Sequence, residues 1–380
     1  MNKEIYYMIT RILQETLKQR LYKDKAIILM GARQVGKTTL LKMLFDDKDA
    51  VLWLNGDELD IQRLFENISA TRFKAIIGNK KIVIIDEAQR IPEIGIRLKL
   101  ITDQIPEVQL IATGSSSFDL AGKVNEPLTG RKWEYTMYPV AFGEMVLHHG
   151  LLEEKRLIPH RMVFGYYPDI LNNQGDEKER LKQLSDSYLY KDLLVLEQIK
   201  KPDRILKLLQ ALAFHIGSQV SYNELSQICG LDSKTVEKYL TFLEQTYIIF
   251  RLSSFSRNLR NELKNSRKFY FYDNGIRNAI IANFNQIENR SDVGELWENF
   301  LVSERIKFLQ YSGRWTNYWY WRTKEQKEID FIEESEGQLT SYEFKWNPGA
   351  KYKVPKLFLN TYTGSRFKMI HRENLDEFLV

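Results

Sequence analysis

The chain has 380 residues, which is enough for two or three domains that each bury a core of their own. Apolar residues make up 43% of it and charged residues 28%, which excludes a disordered or fibrous chain. The net charge of +5 permits contact with nucleic acid but is weak for a protein that coats DNA. Cys229 is the only cysteine, so the chain can form no intramolecular disulfide and no thiolate zinc cluster, as suits a reducing cytoplasm.

The first 25 residues carry the acidic Glu4 and Glu15 among apolar residues at helical spacing, which predicts an amphipathic helix rather than a signal peptide. No apolar run approaches the ~18 residues that a membrane span requires. We therefore expect a cytoplasmic protein that makes no membrane contact.

Three regions of the chain differ in their patterns. In residues 1–145 the short runs AIILM, VLWLN, KIVIIDEA and VQLIATGS alternate with helical patterns, which predicts an α/β domain with a parallel sheet covered by helices. Residues 146–285 show long helical patterns, and the polar stretch 172–179 is the clearest linker. Residues 286–380 combine a long helix with the aromatic runs NYWYWR, EIDFIEE and TSYEFKW, which indicates a third domain of α/β type.

The segment GARQVGKT lies between an apolar run and a helical pattern, and it fits the phosphate-binding pattern G-x-x-x-x-G-K-[ST]. Its glycines let backbone N–H groups curl around phosphate oxygens, and the following helix adds the positive end of its dipole. We expect Lys37 to contact the β- and γ-phosphates of ATP and the Thr38 hydroxyl to bind Mg2+. The predicted nucleotide-binding residues are Gly31, Ala32, Arg33, Gln34, Val35, Gly36, Lys37, Thr38, Thr39 and Asp86.

The run IVIIDE supplies a strand that ends in two carboxylates. Asp86 is expected to hold Mg2+ through water, and Glu87 to orient or deprotonate the attacking water. The next apolar run ends in Thr113, which is followed by Gly114 and three serines, Ser115, Ser116 and Ser117. One of these hydroxyls would contact the γ-phosphate at the carboxyl end of the sheet, although a Ser-rich turn that caps a helix has the same pattern.

Arg131 is a candidate for a cation that stabilises charge developing on the γ-phosphate. A solvated surface arginine is the alternative interpretation. The sequence leaves open whether such an arginine acts within its own chain or on a neighbouring copy.

The segments GARQVGKTTLL, IVIIDEAQRIP, LIATGSSSFDL and LTGRKWEYTMYPVAFGE together resemble the prokaryotic AAA+ superfamily ATPases that carry a characteristic C-terminal domain of unknown function. The resemblance covers almost the whole chain. It implies a P-loop ATPase fold and a nucleotide site at Gly36, Lys37, Thr38, Asp86 and Glu87. It further implies that Thr113 or Ser115 stands where a γ-phosphate sensor would lie, but it says little about the substrate.

Residues 203–255 predict a winged helix. Ser221 caps one helix that stops at Gly230, a second helix starts at Ser233, and a strand follows at 248–252. In a DNA reader the start of the second helix would reach bases and phosphates, whereas a winged helix used for protein contacts is equally compatible with the pattern. The residues expected at DNA are Ser233, Lys234, Thr235 and Lys238, and a basic cluster that could follow a phosphate backbone comprises Arg251, Arg257, Arg260, Lys264, Arg267 and Lys268.

In the last region, Asp330 precedes the triplet Glu343-Phe344-Lys345, in which Glu343 and Lys345 point to one side of a strand. A second metal ion held by Asp330 and Glu343 would polarise a phosphodiester, with Lys345 positioning water and Glu298 or Glu295 contributing from the preceding helix. The arrangement resembles the D…E-x-K core of restriction-endonuclease-type nucleases, but it lacks the proline common before the aspartate. A polar hairpin with Glu–Lys salt bridges is the alternative.

The leading hypothesis is an ATP-driven switch that uses ATP and Mg2+ to change how the middle and C-terminal domains meet a partner. Nucleic acid is the expected partner, with another protein or a second copy of the chain as alternatives. An ATP-regulated, metal-dependent nuclease and a docking module that binds ATP without hydrolysis are the competing hypotheses. Oligomeric state and DNA sequence preference stay open.

Overall fold

The computed structural model describes residues 8–47, 49–115, 128–194, 202–256, 267–323, 325–352, 354 and 356–380, with the backbone alone for 187–194 and 202. The chain forms two compact units. The N-terminal unit comprises residues 10–139 with 245–247, and the C-terminal unit comprises mainly residues 140–244 and 248–380. Among the helices of these described ranges, none is long and apolar enough to cross a membrane.

The N-terminal unit is built on a five-stranded parallel sheet with the strand order β2-β3-β4-β1-β5, which confirms the predicted α/β fold. Its strands are β1 (Ala26–Met30), β2 (Val51–Asn55), β3 (Ile82–Asp86), β4 (Gln109–Gly114) and β5 (Lys132–Thr136). Its helices are α1 (Leu13–Arg20), α2 (Lys37–Leu44), α3 (Leu59–Glu66), α4 (Ala70–Ile77) and α5 (Ile94–Gln104).

The burial of each strand follows its place in the sheet. Every residue of β1, β3 and β4 is buried, because these three strands are covered on both faces and paired on both edges. The outer strands β2 and β5 keep partly exposed residues. Strand β5, with the sequence KWEYT, was not predicted, because an edge strand with alternating charges lacks the continuous apolar run of a central one.

The C-terminal unit contains one antiparallel and one mixed sheet. The first has the order β6-β8-β7, and the second has the order β12-β11-β10-β9, in which only β11 and β12 are parallel. The strands are β6 (Gln219–Val220), β7 (Ile249–Leu252), β8 (Arg267–Phe271), β9 (Asn317–Arg322), β10 (Glu328–Ser335), β11 (Gln338–Phe344) and β12 (Arg366–Ile370).

Helices of the C-terminal unit pack around these sheets. They are α6 (Phe142–His149), α7 (Leu151–Phe164), α8 (Pro168–Leu171), α9 (Glu177–Leu194), α10 (Pro202–Phe214), α11 (Tyr222–Cys229), α12 (Ser233–Gln245), α13 (Asn274–Ile280), α14 (Val293–Tyr311), α15 (Lys356–Thr361) and α16 (Asp376–Leu379). Apart from residues 245–247, the regions 146–285 and 286–380, which were expected as two domains, fall within one compact unit. Strands β6 and β8 lie in residues 146–285 besides the strand expected at 248–252, although the sequence of this region indicated mainly helices.

Helix α14 is the central element of this unit. Trp297 is fully buried, and Asn299 donates to the Phe271 carbonyl at 3.1 Å while its own oxygen accepts from the Phe271 N–H at 2.8 Å. The amide thus satisfies both polar backbone groups of a residue at the end of β8, which removes the penalty of burying them unpaired. The helix connects the antiparallel sheet to the apolar core, which also contains Phe331 and Phe344 of the mixed sheet.

The contact between α7 and α13 gives a test of this packing. A Cβ at Gly275 would lie 2.2 Å from the Phe164 carbonyl oxygen, so Gly275→Ala must push the two helices apart. We expect the variant to lower the free energy of unfolding by about 1–3 kcal/mol. Gly294→Ala is the matched control, because a Cβ at Gly294 in the first turn of α14 meets no atom within 4 Å. Equal stability of the two variants in denaturant titrations would contradict the packing.

Candidate functional site

The loop between β1 and α2 has the shape that a phosphate requires. Gly31 has φ 149° and Gly36 has φ 97°, and a Cβ at Gly31 would lie 2.0 Å from the Met137 carbonyl oxygen. Only glycine fits at position 31, both for its backbone angle and for its close approach to the end of β5. The N-terminus of α2 begins directly after this loop, at Lys37.

The side chains of the loop divide into two groups. Ala32 and Val35 are fully buried, so these residues can offer a ligand only their backbone, whereas Gln34 and Thr39 are exposed and Arg33 is half-buried. The Lys37 ammonium is buried and donates to the carbonyl oxygens of Gly31 and Ala32, each at 2.8 Å. The lysine side chain thus bends back over the loop, and its positive charge lies next to the backbone that is expected to bind phosphate.

The carboxyl ends of β1, β3 and β4 bring the predicted residues together, because these strands are neighbours in the sheet. The Thr38 hydroxyl donates to Asp86 Oδ2 at 2.8 Å, and the Thr113 hydroxyl donates to Asp86 Oδ1 at 2.5 Å. Thr113 Oγ1 in turn accepts the Glu87 N–H at 3.0 Å. The structure therefore places Thr38, Asp86, Glu87 and Thr113 in one hydrogen-bonded group.

The oxygens of Thr38 and Asp86 suit a magnesium ion. Mg2+ binds a nucleotide through one or two protein oxygens, the phosphates and several waters, and does not need a cage of carboxylates. Thr38 Oγ1 and Asp86 Oδ2 lie 2.8 Å apart, so the two oxygens are close enough to serve the same ion. These two residues would hold the ion, which would neutralise charge on the phosphates.

Two residues of this site were not predicted from the sequence. Arg11 is buried and donates to the Val35 carbonyl of the loop and to the Tyr138 carbonyl, each at 2.7 Å. Gln89, in a short 3₁₀ helix at Ala88–Arg90, donates to Glu87 Oε2 at 2.5 Å. The Arg11 contact arises from tertiary packing and the Gln89 contact from the turn at Glu87. Neither has a local sequence motif that would predict it.

Arg131 lies away from the loop. Its carbonyl accepts the Ala26 N–H at the start of β1, and its guanidinium pairs with Asp103 at 2.6 Å, so it lies at the amino edge of the sheet. The nucleotide loop follows the other end of β1, at Met30. This placement puts Arg131 at the end of β1 opposite the loop, and a role of Arg131 at the γ-phosphate of a nucleotide stays a prediction. Ser116 and Ser117 lie outside the described residues.

The residues expected at a second metal site in the C-terminal unit lie near a buried lysine, Lys268. Lys268 of β8 is 1% exposed, and it pairs with Glu298 of α14 at 2.9 Å and with Glu328 of β10. The Tyr270 hydroxyl donates to the same Glu298 oxygen at 2.6 Å. Although burial lowers the pKa of Lys268, the charges of Glu298 and Glu328 raise it above its usual range. The lysine is therefore a buried, fully charged cation.

Asp330 lies close to Lys268 and to Glu343, and Glu343 in turn pairs with Lys345. Asp330 Oδ2 accepts the Phe344 N–H at 2.8 Å, and Lys345 pairs with Glu343 at 2.7 Å. Burial raises the pKa of Asp330 well above its usual range, and the charges of Glu298 and Glu343 raise it further.

The second metal site at Asp330 and Glu343 stays a prediction, and the contacts of these residues are with groups of the chain itself. The residues that the structure describes contain no group of three or more His, Cys, Asp or Glu side chains arranged to bind a metal. Among these carboxylates lies the Lys268 ammonium, which was expected on a basic surface facing DNA. Of that expected surface, Arg251 pairs with Glu244 and Arg267 donates to the Tyr222 hydroxyl, while Arg257, Arg260 and Lys264 lie outside the described residues.

Three protein families match consecutive parts of the chain. Residues 23–146 match an AAA domain, residues 155–287 match a domain of unknown function (DUF8612), and residues 293–375 match a domain of unknown function (DUF4143). The AAA match covers the whole parallel sheet and the loop at Gly31, and the DUF4143 match covers α14 and the mixed sheet.

Individual relatives match most of the chain. An uncharacterised protein of Mycobacterium tuberculosis is 24% identical over 333 residues, which span 87% of this chain and 72% of the relative. An uncharacterised protein of Haemophilus influenzae is 25% identical over 302 residues, which span 70% of this chain and 74% of the relative. Among solved structures, a Walker-type ATPase of Pyrococcus abyssi superposes with a TM-score of 0.50 at 14% identity, covering 72% of this chain and 96% of that one, which indicates a shared fold.

The buried ammonium gives a stability test with a definite pH dependence. Lys268→Met leaves Glu298, Glu328 and Asp330 without their shared counter-charge, so we expect a loss of about 3–5 kcal/mol of unfolding free energy near neutral pH. The charge of Lys268 lowers the pKa of Asp330 against the effect of burial, so its removal raises that pKa further. A folded-state pKa above the unfolded value favours folding at low pH, and this contribution is lost as the pH rises, so the deficit should shrink near pH 5.

Lys345→Met is the matched control, because Lys345 also pairs with a glutamate but its side chain is 35% exposed. A loss below about 1 kcal/mol is expected for it. Chemical unfolding of both variants at the two pH values measures the difference. A Lys268→Met protein as stable as the control at neutral pH would contradict the buried ion cluster.

Proposed function

We propose that this chain, an AAA-type P-loop protein with a C-terminal domain of the DUF4143 family, binds Mg-ATP, hydrolyses it and uses the cycle as a switch. The observation that carries the proposal is the 2.8 Å hydrogen bond between Thr38 of the loop and Asp86 of β3. It joins the phosphate-binding loop to the acidic strand end that a metal–nucleotide complex requires. An accidental glycine-rich turn would have no reason to meet a carboxylate in this way.

Each residue has a distinct role in the proposed reaction. The backbone amides of residues 31–38 and the Lys37 ammonium bind the phosphates. Bound Mg2+ neutralises phosphate charge, and Thr38 and Asp86 are the residues that would hold it. Glu87 accepts the proton of the attacking water or fixes its orientation, and the Thr113 hydroxyl, at the end of β4, fixes the Asp86 carboxylate.

The segment that joins α12 to β7 supports the proposal that the nucleotide state affects the rest of the chain. Residues 245–247, which join α12 to β7, belong to the N-terminal unit, and Tyr247 packs against the apolar core of that unit. We propose that the nucleotide state acts on α12 and β7 through this connecting segment of the chain. We infer that α12 and its sheet form the surface that the nucleotide state changes.

The elements α11, α12 and the sheet β6-β8-β7 support a winged-helix interpretation. A short strand, two helices and two further strands follow in chain order, and the first strand pairs with the last. On α12, Lys234 and Lys238 are exposed, while Val236 and Leu240 are buried. We propose that double-stranded DNA binds the exposed face of α12. Another protein is the alternative partner.

Hydrolysis is tested with Glu87→Gln, which keeps the size of the side chain but removes its basicity. Phosphate release should fall by a factor of about 100 or more, while the affinity for ATP stays within about twofold of wild type. Glu66→Gln, which changes an exposed glutamate on α3, is the matched control and should behave as wild type. Normal turnover by Glu87→Gln would show that another group activates the water.

DNA contact is tested with Lys234→Ala and Lys238→Ala combined. If both lysines meet phosphates, the slope of log affinity against log salt should become shallower by about 2, because two fewer counterions are released on binding. The double variant Lys23→Ala with Lys99→Ala removes two exposed lysines of the N-terminal unit and serves as the charge-matched control. An unchanged slope, or no binding of duplex DNA by the wild type with any nucleotide, would favour a protein partner.

A further inference from the structure

Gln89 lies between Glu87, which follows β3, and Ser115, which follows β4. It is 7% exposed, and its amide nitrogen donates to two oxygens, Glu87 Oε2 at 2.5 Å and Ser115 Oγ at 3.0 Å. A primary amide has two hydrogens, so each of these contacts takes one of them. The NH2 group must face Glu87, because the amide oxygen would repel a carboxylate at this distance.

The backbone of Glu87 is fixed independently of this amide. Glu87 has φ 50° and ψ 42°, a left-handed conformation that is unfavourable for glutamate and is kept only where its surroundings enforce it. Its N–H donates to Thr113 Oγ1 at 3.0 Å, and its carbonyl accepts the Arg90 N–H at 3.0 Å. With the backbone held by these bonds, the side-chain torsions decide where the carboxylate points.

Gln89 supplies that remaining constraint. It ties one oxygen of the carboxylate, Oε2, and across the part of the chain that the structure describes the other oxygen, Oε1, takes part in no hydrogen bond or ion pair. One oxygen is therefore held while the second stays available to accept a proton from water. A carboxylate fixed in this way loses little freedom on reaching the transition state.

Ser115 extends the contact to β4. It is 3% exposed and stands directly after the strand, two residues from Thr113. Because Ser115 Oγ accepts from Gln89, its single hydroxyl hydrogen can be donated to another acceptor, such as an oxygen of the terminal phosphate. Gln89 thus lies between the group that would touch that phosphate and the group that would activate water.

We propose that Gln89 is a positioning residue for hydrolysis, which holds the Glu87 carboxylate in register with Ser115 and couples the presence of the terminal phosphate to the activation of water. The proposal rests on the proposed ATPase function. It goes beyond that function because it assigns the orientation of the base to a residue outside both nucleotide-binding motifs.

The test is Gln89→Met in the full-length chain, which preserves the length of the side chain and removes both donors. The single-turnover rate of hydrolysis should fall by about 10- to 100-fold, as expected when a reacting group is misplaced by about 1 Å. The dissociation constant for fluorescent ATP should stay within about twofold. Gln109→Met is the matched control, because Gln109 is a buried glutamine of the same sheet whose side chain donates to the Lys25 carbonyl at the opposite edge.

A double-mutant cycle separates positioning from a general structural effect. If Gln89 acts through Glu87, then adding Gln89→Met to Glu87→Gln should leave the residual single-turnover rate unchanged within about twofold. A merely structural role would slow both backgrounds by the same factor. Adding Gln89→Met to Ser115→Ala should likewise reduce the rate less than it does in the wild type.

Failure of the Gln89 proposal and failure of the ATPase proposal give different results. If wild type binds or hydrolyses no ATP, the ATPase proposal itself is wrong. If wild type hydrolyses ATP but Gln89→Met does so at the wild-type rate or faster, the assignment of Gln89 is overturned. Equal losses in the Gln89→Met and Gln109→Met variants, or additive effects in the cycle, would also overturn it.

Discussion

The candidate site depends on one constraint, the meeting of three parallel strand ends at a single edge of the sheet. Strand β1 delivers the phosphate loop, β3 delivers Asp86 and Glu87, and β4 delivers Thr113. Because β3, β4 and β1 are neighbours, Thr38 and Thr113 both donate to the same Asp86 carboxylate. Without this adjacency the same motifs would be separate features of a chain, and no shared metal and phosphate chemistry could be proposed.

Much of this arrangement could be predicted because it depends on short local sequence patterns. The phosphate loop needs glycine at fixed positions, and a buried parallel strand needs a continuous apolar run, so both leave strong patterns. Strands β5 and β8 leave weaker ones, because KWEYT and RKFYF mix charged and aromatic residues. Arg11 and Gln89 could not be predicted, because the first depends on a contact 24 residues away and the second on the left-handed turn at Glu87.

Lys268 illustrates how a residue type misleads when its environment is unknown. In sequence it belongs to a run of basic residues, which is the usual sign of a surface that meets phosphates. In the structure it is buried between β8, α14 and β10, where it neutralises carboxylates that would otherwise repel one another. A cation of the chain itself therefore lies close to Asp330 and Glu298, two of the carboxylates expected at a second metal site. In the C-terminal unit these carboxylates thus pair with a buried cation of the chain.

The most direct measurement is the metal dependence of nucleotide binding. Fluorescent ATP should bind the wild type saturably, and removal of Mg2+ with EDTA should weaken that binding. Thr38→Val, which keeps the shape of the side chain but lacks the hydroxyl, should bind with an affinity that EDTA changes far less. Absence of saturable binding by the wild type, or an identical EDTA response in the two proteins, would contradict the account that the loop and the acidic strand end share one metal–nucleotide complex.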